Sequence, residues 1–267
     1  MESPFAAYDM TDRVAVLTGG ASGIGEAAAE MLAACGATVV LGDIDAAGLD
    51  ATVERITAAG GTALAVVTDV TDHAAVDALV DTAMATYGRV DVMCNIAGTM
   101  FPGTVEELTD ERIDAGIDLN LRSVIWGCQA AVRAMRQSGG GSIVNVSSGA
   151  IDAPFPGMGL YALTKAAVAM LSMTLATEVG EHGIRVNAIA PGSTLTKFTT
   201  WRLHREDGTI DQDAYDAFVE RMKAMSPLGT VGEAVDQAHL ILYLASDASR
   251  WVTGQIHRVN GGQTFAW

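Results

Sequence analysis

A phenol, an ammonium and a hydroxyl stand at spacings that can bring them together. Tyr161 and Lys165 are four residues apart, so on a helix their side chains share one face about a turn apart. Ser148 lies thirteen residues before Tyr161. A free phenol, with a pKa of about 10, is a poor base near neutral pH. A cation one turn away favours phenolate, and lowering the value by ~3 units takes about 4 kcal/mol, within reach of a close cation in a partly dry site. Tyr161 can then exchange a proton with an alcohol or carbonyl oxygen while Ser148 hydrogen-bonds the same oxygen. The same residues also fit a surface Tyr-Lys pair on an ordinary amphipathic helix, and spacing alone does not choose.

The elements that must position these groups are legible around them. SIVNV, residues 142–146, alternates apolar and polar residues and predicts a strand. Gly, Pro and Ser crowd 147–159, which is loop chemistry, and from about Leu160 apolar residues recur at helical spacing. The three groups therefore converge at the C-terminal edge of a sheet. Near the N-terminus, Val14–Leu17 predicts a short apolar strand, followed by TGGASGIG at 18–25 and a helix ended by Gly36. A second strand covers 37–43. In this βαβ unit the glycines stand where a chain turning from strand to helix approaches a phosphate closely, although a tight packing turn also uses glycine. Asp43 ends the second strand eighteen residues after Gly25, near the distance expected of an acid that binds ribose hydroxyls. A carboxylate there repels a 2'-phosphate, and no Arg or Lys at Ala21, Ser22 or Ile44 offsets it. NAD(H) is expected over NADP(H).

Composition bounds the rest. A chain of 267 residues, 49% hydrophobic and 18% charged, suits one large globular domain. Its net charge of -16 disfavours nucleic acid and anionic membranes as partners. Cys35, Cys94 and Cys128 show no CxxC spacing and read as small buried hydrophobes, not a disulfide framework or zinc site. The five histidines show no metal-ligand spacing. MESPFAAYDM does not resemble a signal peptide, and no run of 18 apolar residues predicts a membrane span, so a cytoplasmic location is expected.

Ser148, Tyr161 and Lys165, as S-x12-Y-x3-K, resemble the catalytic pattern of the short-chain dehydrogenase/reductase family. The resemblance runs from about Arg13 to Gly262 and its motifs arrive in family order. It implies a doubly wound, Rossmann-type α/β fold, with a parallel sheet of about seven strands flanked by helices. This forms a single domain over 13–267 after an arm at 1–12. Thr18, Gly19, Gly23 and Gly25 match TGxxxGxG, which with Ser22 and Ile24 implies a cofactor loop. Asp43 and Ile44 are expected at the adenosine ribose, and Asp69 and Val70 at the adenine. Asn95-Ile96-Ala97-Gly98 resembles the family's NNAG, with Ile96 a departure. Asn95 is expected in sheet and cofactor support, and Ala97 and Gly98 beside the cofactor. Asn120 falls where the family has its fourth catalytic residue, holding a water that links the lysine to solvent. Pro191, Gly192 and Thr196 match PG-x-x-x-T, which holds nicotinamide and pyrophosphate; Thr194 stands where Val or Ile is usual. TGQ at 253–255 is the final-strand motif, and Asn260 replaces a common Asp.

Residues 197–230 thread aromatic and Met side chains among charges and read as a mobile helical flap over the site. Phe198, Trp201 and Met222 are its candidate substrate contacts, and such a lid suits a bulky, uncharged carbonyl or secondary alcohol. The helices at about 119–137 and 160–179 carry more apolar surface than one buried stripe needs, which together with the resemblance points to a homotetramer. The expectation is an NAD(H)-dependent oxidoreductase acting on a small-molecule alcohol or ketone. The alternatives are a 3-oxoacyl thioester reductase and a non-catalytic NAD-binding regulatory protein.

Overall fold

The computed structural model describes residues 5–200, 203 and 209–265. The first half alternates strand and helix: β1 (Val14–Thr18), α1 (Gly23–Ala34), β2 (Thr38–Asp43), α2 (Ala46–Ala58), β3 (Thr62–Val67), α3 (His73–Tyr87) and β4 (Val92–Asn95). Next come α4 (Asp110–Ile117), a π-helical turn at Asp118–Arg122, α5 (Ser123–Ser138), β5 (Gly141–Val146), α6 (Gly159–Val179) and β6 (Ile184–Ile189). The remainder is β7 (Thr194–Leu195), α7 (Lys197–Thr200), α8 (Gln212–Met225), β8 (Gly232–Glu233), α9 (Ala234–Ala245) and β9 (Ile256–His257).

Seven strands form one parallel sheet in the order β3-β2-β1-β4-β5-β6-β9. All five residues of β1 are buried. A strand covered on both faces loses its alternation and becomes a continuous apolar run, which is why VAVLT is recognisable. One face packs against α1 and α9 through Leu32, Leu41, Ile241 and Leu244. The other packs against α3, α5 and α6 through Leu79, Met93, Met135 and Val168. The strand order reverses between β1 and β4, opening a crevice at their carboxyl ends.

Local chemistry sets the boundaries. Asp45 and Asp72 cap α2 and α3 by accepting the Gly48 and Ala74 N–H groups, and Gly88 ends α3 in the left-handed region. The fourth strand begins at Val92, two residues later than the apolar run from Val90 suggests. Asp91 instead turns its carboxylate to the Val14 N–H at 2.9 Å and to the Arg89 guanidinium. The N-terminal arm is tied down at Met10, which is buried and whose N–H donates to the Cys35 carbonyl at 2.8 Å, while most of residues 5–12 are exposed. Together with the turn after it, α6 is the one helical stretch among the described residues long and apolar enough to span a bilayer. Its buried face lies against β5 and β6. All three cysteines are free, and burial pushes the Cys94 and Cys128 thiols up to about 12.

Candidate active site

Ser148 stands immediately past β5, where it caps a short 3-10 turn and its Oγ accepts the Ala150 N–H at 3.1 Å. Tyr161 and Lys165 occupy the first turns of α6, both buried. The Ser148 hydroxyl lies close enough to the Tyr161 phenol to favour its ionised form. The expected trio is thus assembled, but its electrostatics differ from the sequence reading. Burial raises the phenol's pKa above its ordinary value, and the nearby Ser148 hydroxyl only partly offsets this. The Lys165 ammonium lies 5.8 Å from the ring centroid and donates to the Val146 carbonyl at 2.9 Å. Burial pulls its own pKa down to about 8. Sharing a helix face therefore does not by itself deliver a phenolate here, because both groups leave water together and Lys165 is partnered by backbone. Ser147, which sequence reasoning missed, donates to the Lys165 carbonyl at 2.8 Å and locks α6 to the end of β5. Its signal was the Ser147-Ser148 pair, since adjacent residues leaving a strand face opposite ways.

Behind the lysine, Asn120 is fully buried in the π-helical turn. Its Oδ1 accepts the Thr99 N–H at 2.9 Å and its Nδ2 donates to the Thr99 carbonyl at 2.8 Å. A Cβ on Gly98 would come within 2.8 Å of Asn120 Oδ1 and 3.2 Å of Lys165 Nζ. The amide and the ammonium therefore flank one small space that only a glycine leaves open. The polar residue does sit at a backbone irregularity, and periodicity alone could not specify its wider winding.

The glycine-rich loop lies in the crevice at the carboxyl ends of β1, β2 and β4. Gly19 has φ +75°, and a Cβ on Gly25 would overlap the Gly19 carbonyl oxygen. Asp43 is tied into this loop, its Oδ2 accepting the Ala21 N–H at 3.1 Å and its Oδ1 the Asp45 N–H at 3.1 Å. Ile44 beside it is exposed. The first turn of α1 begins at Gly23, so the leading N–H groups of the helix have no acceptor within it and face the crevice mouth. Thr196 closes the opposite side, its side chain 3.3 Å from where Gly23 would carry a Cβ. A donor-rich, glycine-walled cradle ending at a carboxylate fits a nicotinamide dinucleotide.

Several residues expected at the cofactor have other commitments. Thr18 is buried, and its Oγ accepts the Ile96 N–H at 3.1 Å and the Ala97 N–H at 3.3 Å, bracing β1 to the segment after β4. The Asn95 side chain donates to Asn145 Oδ1 at 2.8 Å within the sheet interior, so it serves the sheet and does not face the crevice. Asp69 Oδ1 accepts both the Thr71 N–H and hydroxyl, which hold its carboxyl below the usual range, and Val70 is buried. Thr194 is buried too, its hydroxyl donating to the Gly192 carbonyl at 3.1 Å and accepting from Gln237 Nε2 at 3.3 Å. A hydroxyl is thus accommodated where an aliphatic side chain was expected, because Gln237 supplies a partner. The Pro191 carbonyl accepts the Gly149 N–H at 2.9 Å, joining the two loops that flank Ser148.

Of the three candidate substrate contacts, Phe198 in α7 reaches the site, its ring 6.1 Å from that of Tyr161 and tilted by 43°. Met222 in α8 is buried. Trp201 lies outside the described residues.

A family profile described as enoyl-(acyl carrier protein) reductase matches residues 19–264. The chain is 35% identical over 253 residues to the 2,5-dichloro-2,5-cyclohexadiene-1,4-diol dehydrogenase of Sphingobium indicum, covering 95% of this chain and 96% of that one. It is 37% identical over 250 residues to the 3-oxoacyl-(acyl-carrier-protein) reductase of Thermotoga maritima, covering 94% and 97%. Among solved structures, a 7α-hydroxysteroid dehydrogenase complexed with NADH and 7-oxo glycochenodeoxycholic acid superposes with a TM-score of 0.87 at 32% identity, over 96% of each chain. With the motifs, the sheet order and these relatives in agreement, the chain belongs to the short-chain dehydrogenase/reductase family, whose members bind a nicotinamide cofactor and act on alcohol and carbonyl groups.

Proposed function

We propose that this protein transfers hydride between NAD(H) and a secondary alcohol or ketone, bulky and uncharged. The observation that carries the reading is the buried Tyr161 and Lys165 pair beside Ser148 at the end of β5, on the same sheet edge as the Asp43 carboxylate at the end of β2. In alcohol oxidation the hydride leaves the carbinol carbon and the hydroxyl proton passes to Tyr161; in reduction both move the other way. Ser148 holds the reacting oxygen. Lys165 binds ribose and, with Asn120, returns the proton to solvent. When bound, the nicotinamide ring is the hydride acceptor or donor.

The pyrophosphate would rest on Gly19, Ser22, Gly23, Ile24 and Gly25, with Asp43 and Ile44 at the adenosine ribose. Asp69 and Val70 would meet the adenine. Ala97, Gly98, Pro191, Gly192, Thr194 and Thr196 would line the nicotinamide end. The carboxylate of Asp43 disfavours a 2'-phosphate by like-charge repulsion, which supports NAD(H). An apolar, bulky substrate is supported by the Phe198 ring beside Tyr161 and by relatives named for cyclic diols and steroids. Leu163, Met170 and Met173 are exposed on α6, which supports a homotetramer built through that helix, and a cytoplasmic location completes the reading.

The test is a screen of cyclic and aromatic secondary alcohols and ketones with each cofactor, following NADH or NADPH absorbance. Turnover with NADH is expected. A clear preference for NADPH would overturn the cofactor choice, and no turnover of any alcohol or ketone would overturn the reaction. Reduction of 3-oxoacyl thioesters is the second reading, favoured by the Thermotoga relative and the profile's description. The net charge of -16 opposes docking of an acidic carrier, so a carrier-bound 3-oxoacyl substrate outperforming free ketones would replace the first reading by this one.

A further inference from the structure

The turn that carries Ser148 is held from its far end by an ion pair that spans 106 residues of sequence. Asp152 closes the 3-10 turn Gly149–Ile151, donating its N–H to the Gly149 carbonyl at 3.1 Å. Its carboxylate receives Arg258 in fork geometry, Nε to Oδ2 at 2.6 Å and Nη2 to Oδ1 at 2.7 Å. The pair is sheltered: 6% of the Asp152 side chain and 22% of the Arg258 side chain are exposed. The guanidinium is fixed in turn by a bond from Nη1 to the Ile256 carbonyl at 2.9 Å, at the end of the sheet. Thr264 adds a third donor to the same carboxylate, at 3.3 Å.

The segment beyond Arg258 then folds over this turn. Asn260 Nδ2 donates to the Thr264 carbonyl at 2.8 Å and to its Oγ at 3.0 Å, which an aspartate at that position could not do. Gln263 accepts the Ser193 N–H at 2.7 Å, so the segment also grips the loop after Pro191.

We propose that Asp152 and Arg258 are a positioning pair for Ser148, fixing its hydroxyl against the Tyr161 phenol; this rests on the oxidoreductase reading above. The turn is short, and the bonds around Ser148 lie at its near end or within it: Gly149 N–H to the Pro191 carbonyl, Ala150 N–H to the Ser148 Oγ and Ile151 N–H to the Ser148 carbonyl. Removing the fork frees the distal end, so Ser148 drifts from the reacting oxygen while Tyr161 and Lys165 remain locked in α6. A displacement of that kind is worth up to about 100-fold in rate. Arg258→Lys keeps the charge but offers no planar fork.

A double-mutant cycle tests the pair. Arg258→Met is expected to lower kcat 10- to 100-fold with the KM for NADH within about twofold, and Arg258→Lys to fall between it and the parent. In a Ser148→Ala background, Arg258→Met should cost no further kcat, because its effect runs through that hydroxyl. Full multiplicativity of the two losses, or an Arg258→Met enzyme with parental kcat, would overturn the proposal. Asp152→Asn runs the same cycle if Arg258→Met fails to fold. Amide hydrogen exchange judges the geometry without turnover: faster exchange confined to 148–152 and 258–264 in Arg258→Met is expected, and unchanged exchange there overturns the pair. An inactive parent enzyme with the expected exchange pattern would sink the oxidoreductase reading and leave the clamp's structural role standing.

Discussion

The regions behind and in front of Tyr161 are built differently. Behind it, Lys165, Asn120 and Ser147 each donate to backbone of another segment, at distances of 2.8 to 2.9 Å. These side chains come from α6, the π-helical turn and the residue that follows β5. In front, the Phe198 ring approaches the phenol from a four-residue helix, and α8, later in the same stretch, buries only Met222 among its residues. A group that must hold a proton at a fixed point needs over-determined support, whereas a wall that only has to exclude water and admit a ring does not. Under the proposed function, the contrast would separate reaction type, set in the interior, from substrate choice, set around Phe198.

The sharpest way to break that division is to strike the interior. Tyr161→Phe is expected to lower kcat by roughly 10²–10⁴-fold while leaving NADH binding, read by fluorescence titration, unchanged. Because burial holds the phenol's pKa high, alcohol oxidation in the parent should accelerate as pH rises into the alkaline range and carbonyl reduction should slow. A pH-rate profile with both directions flat would contradict this.

Lys165→Met is expected to remove activity and yet stabilise the cofactor-free protein. A buried ammonium brought from 10.5 to about 8 costs about 3 kcal/mol, of which the bond to Val146 returns roughly 1 kcal/mol. The folded pKa lies below the unfolded one, so the penalty is complete below pH 8 and is relieved between about 8 and 10.5. Urea midpoints of the variant should therefore exceed the parent's at pH 7 and converge with them near pH 10.5. A variant less stable at pH 7 would count against the buried, charged lysine.

Smaller effects belong to the periphery. Asp43→Ala should narrow the preference for NADH over NADPH by roughly tenfold, about 1.4 kcal/mol, measured as the ratio of kcat/KM values. Phe198→Ala should raise KM for bulky ketones by several-fold, about 1 kcal/mol of lost apolar contact, with the NADH KM unchanged. If it lowered kcat for all ketones alike, the front wall would be part of the chemistry after all.

Much of this was legible because the signals are local. Parallel strands buried on both faces announce themselves as apolar runs, and Ser148, Tyr161 and Lys165 sit within one strand-loop-helix unit. Asp43 was found by its distance from a glycine loop that must precede it. What escaped depends on side-chain direction or distant pairing. Thr18 and Asn95 carry family motif letters, but their polar atoms are consumed in joining β1 to the β4 end and β4 to β5. The expected lowering of the Tyr161 pKa is not met, because spacing shows who shares a face and not how much water leaves with them. Arg258 and Asp152 carry no pattern that a single sequence reveals, being joined only once β9 lies along β6.

The widened turn at Asp118–Arg122 also bears on how this gene can change. A π-helical turn holds one residue more than regular winding. Deleting a single codon there would restore α-helical pitch with α4 and α5 nearly in register, confining the change to the turn itself. The amide of Asn120 would then leave the Thr99 backbone, even with every other residue intact. A deletion scan read out by expression and turnover separately should therefore find a position here where expression survives and turnover is lost.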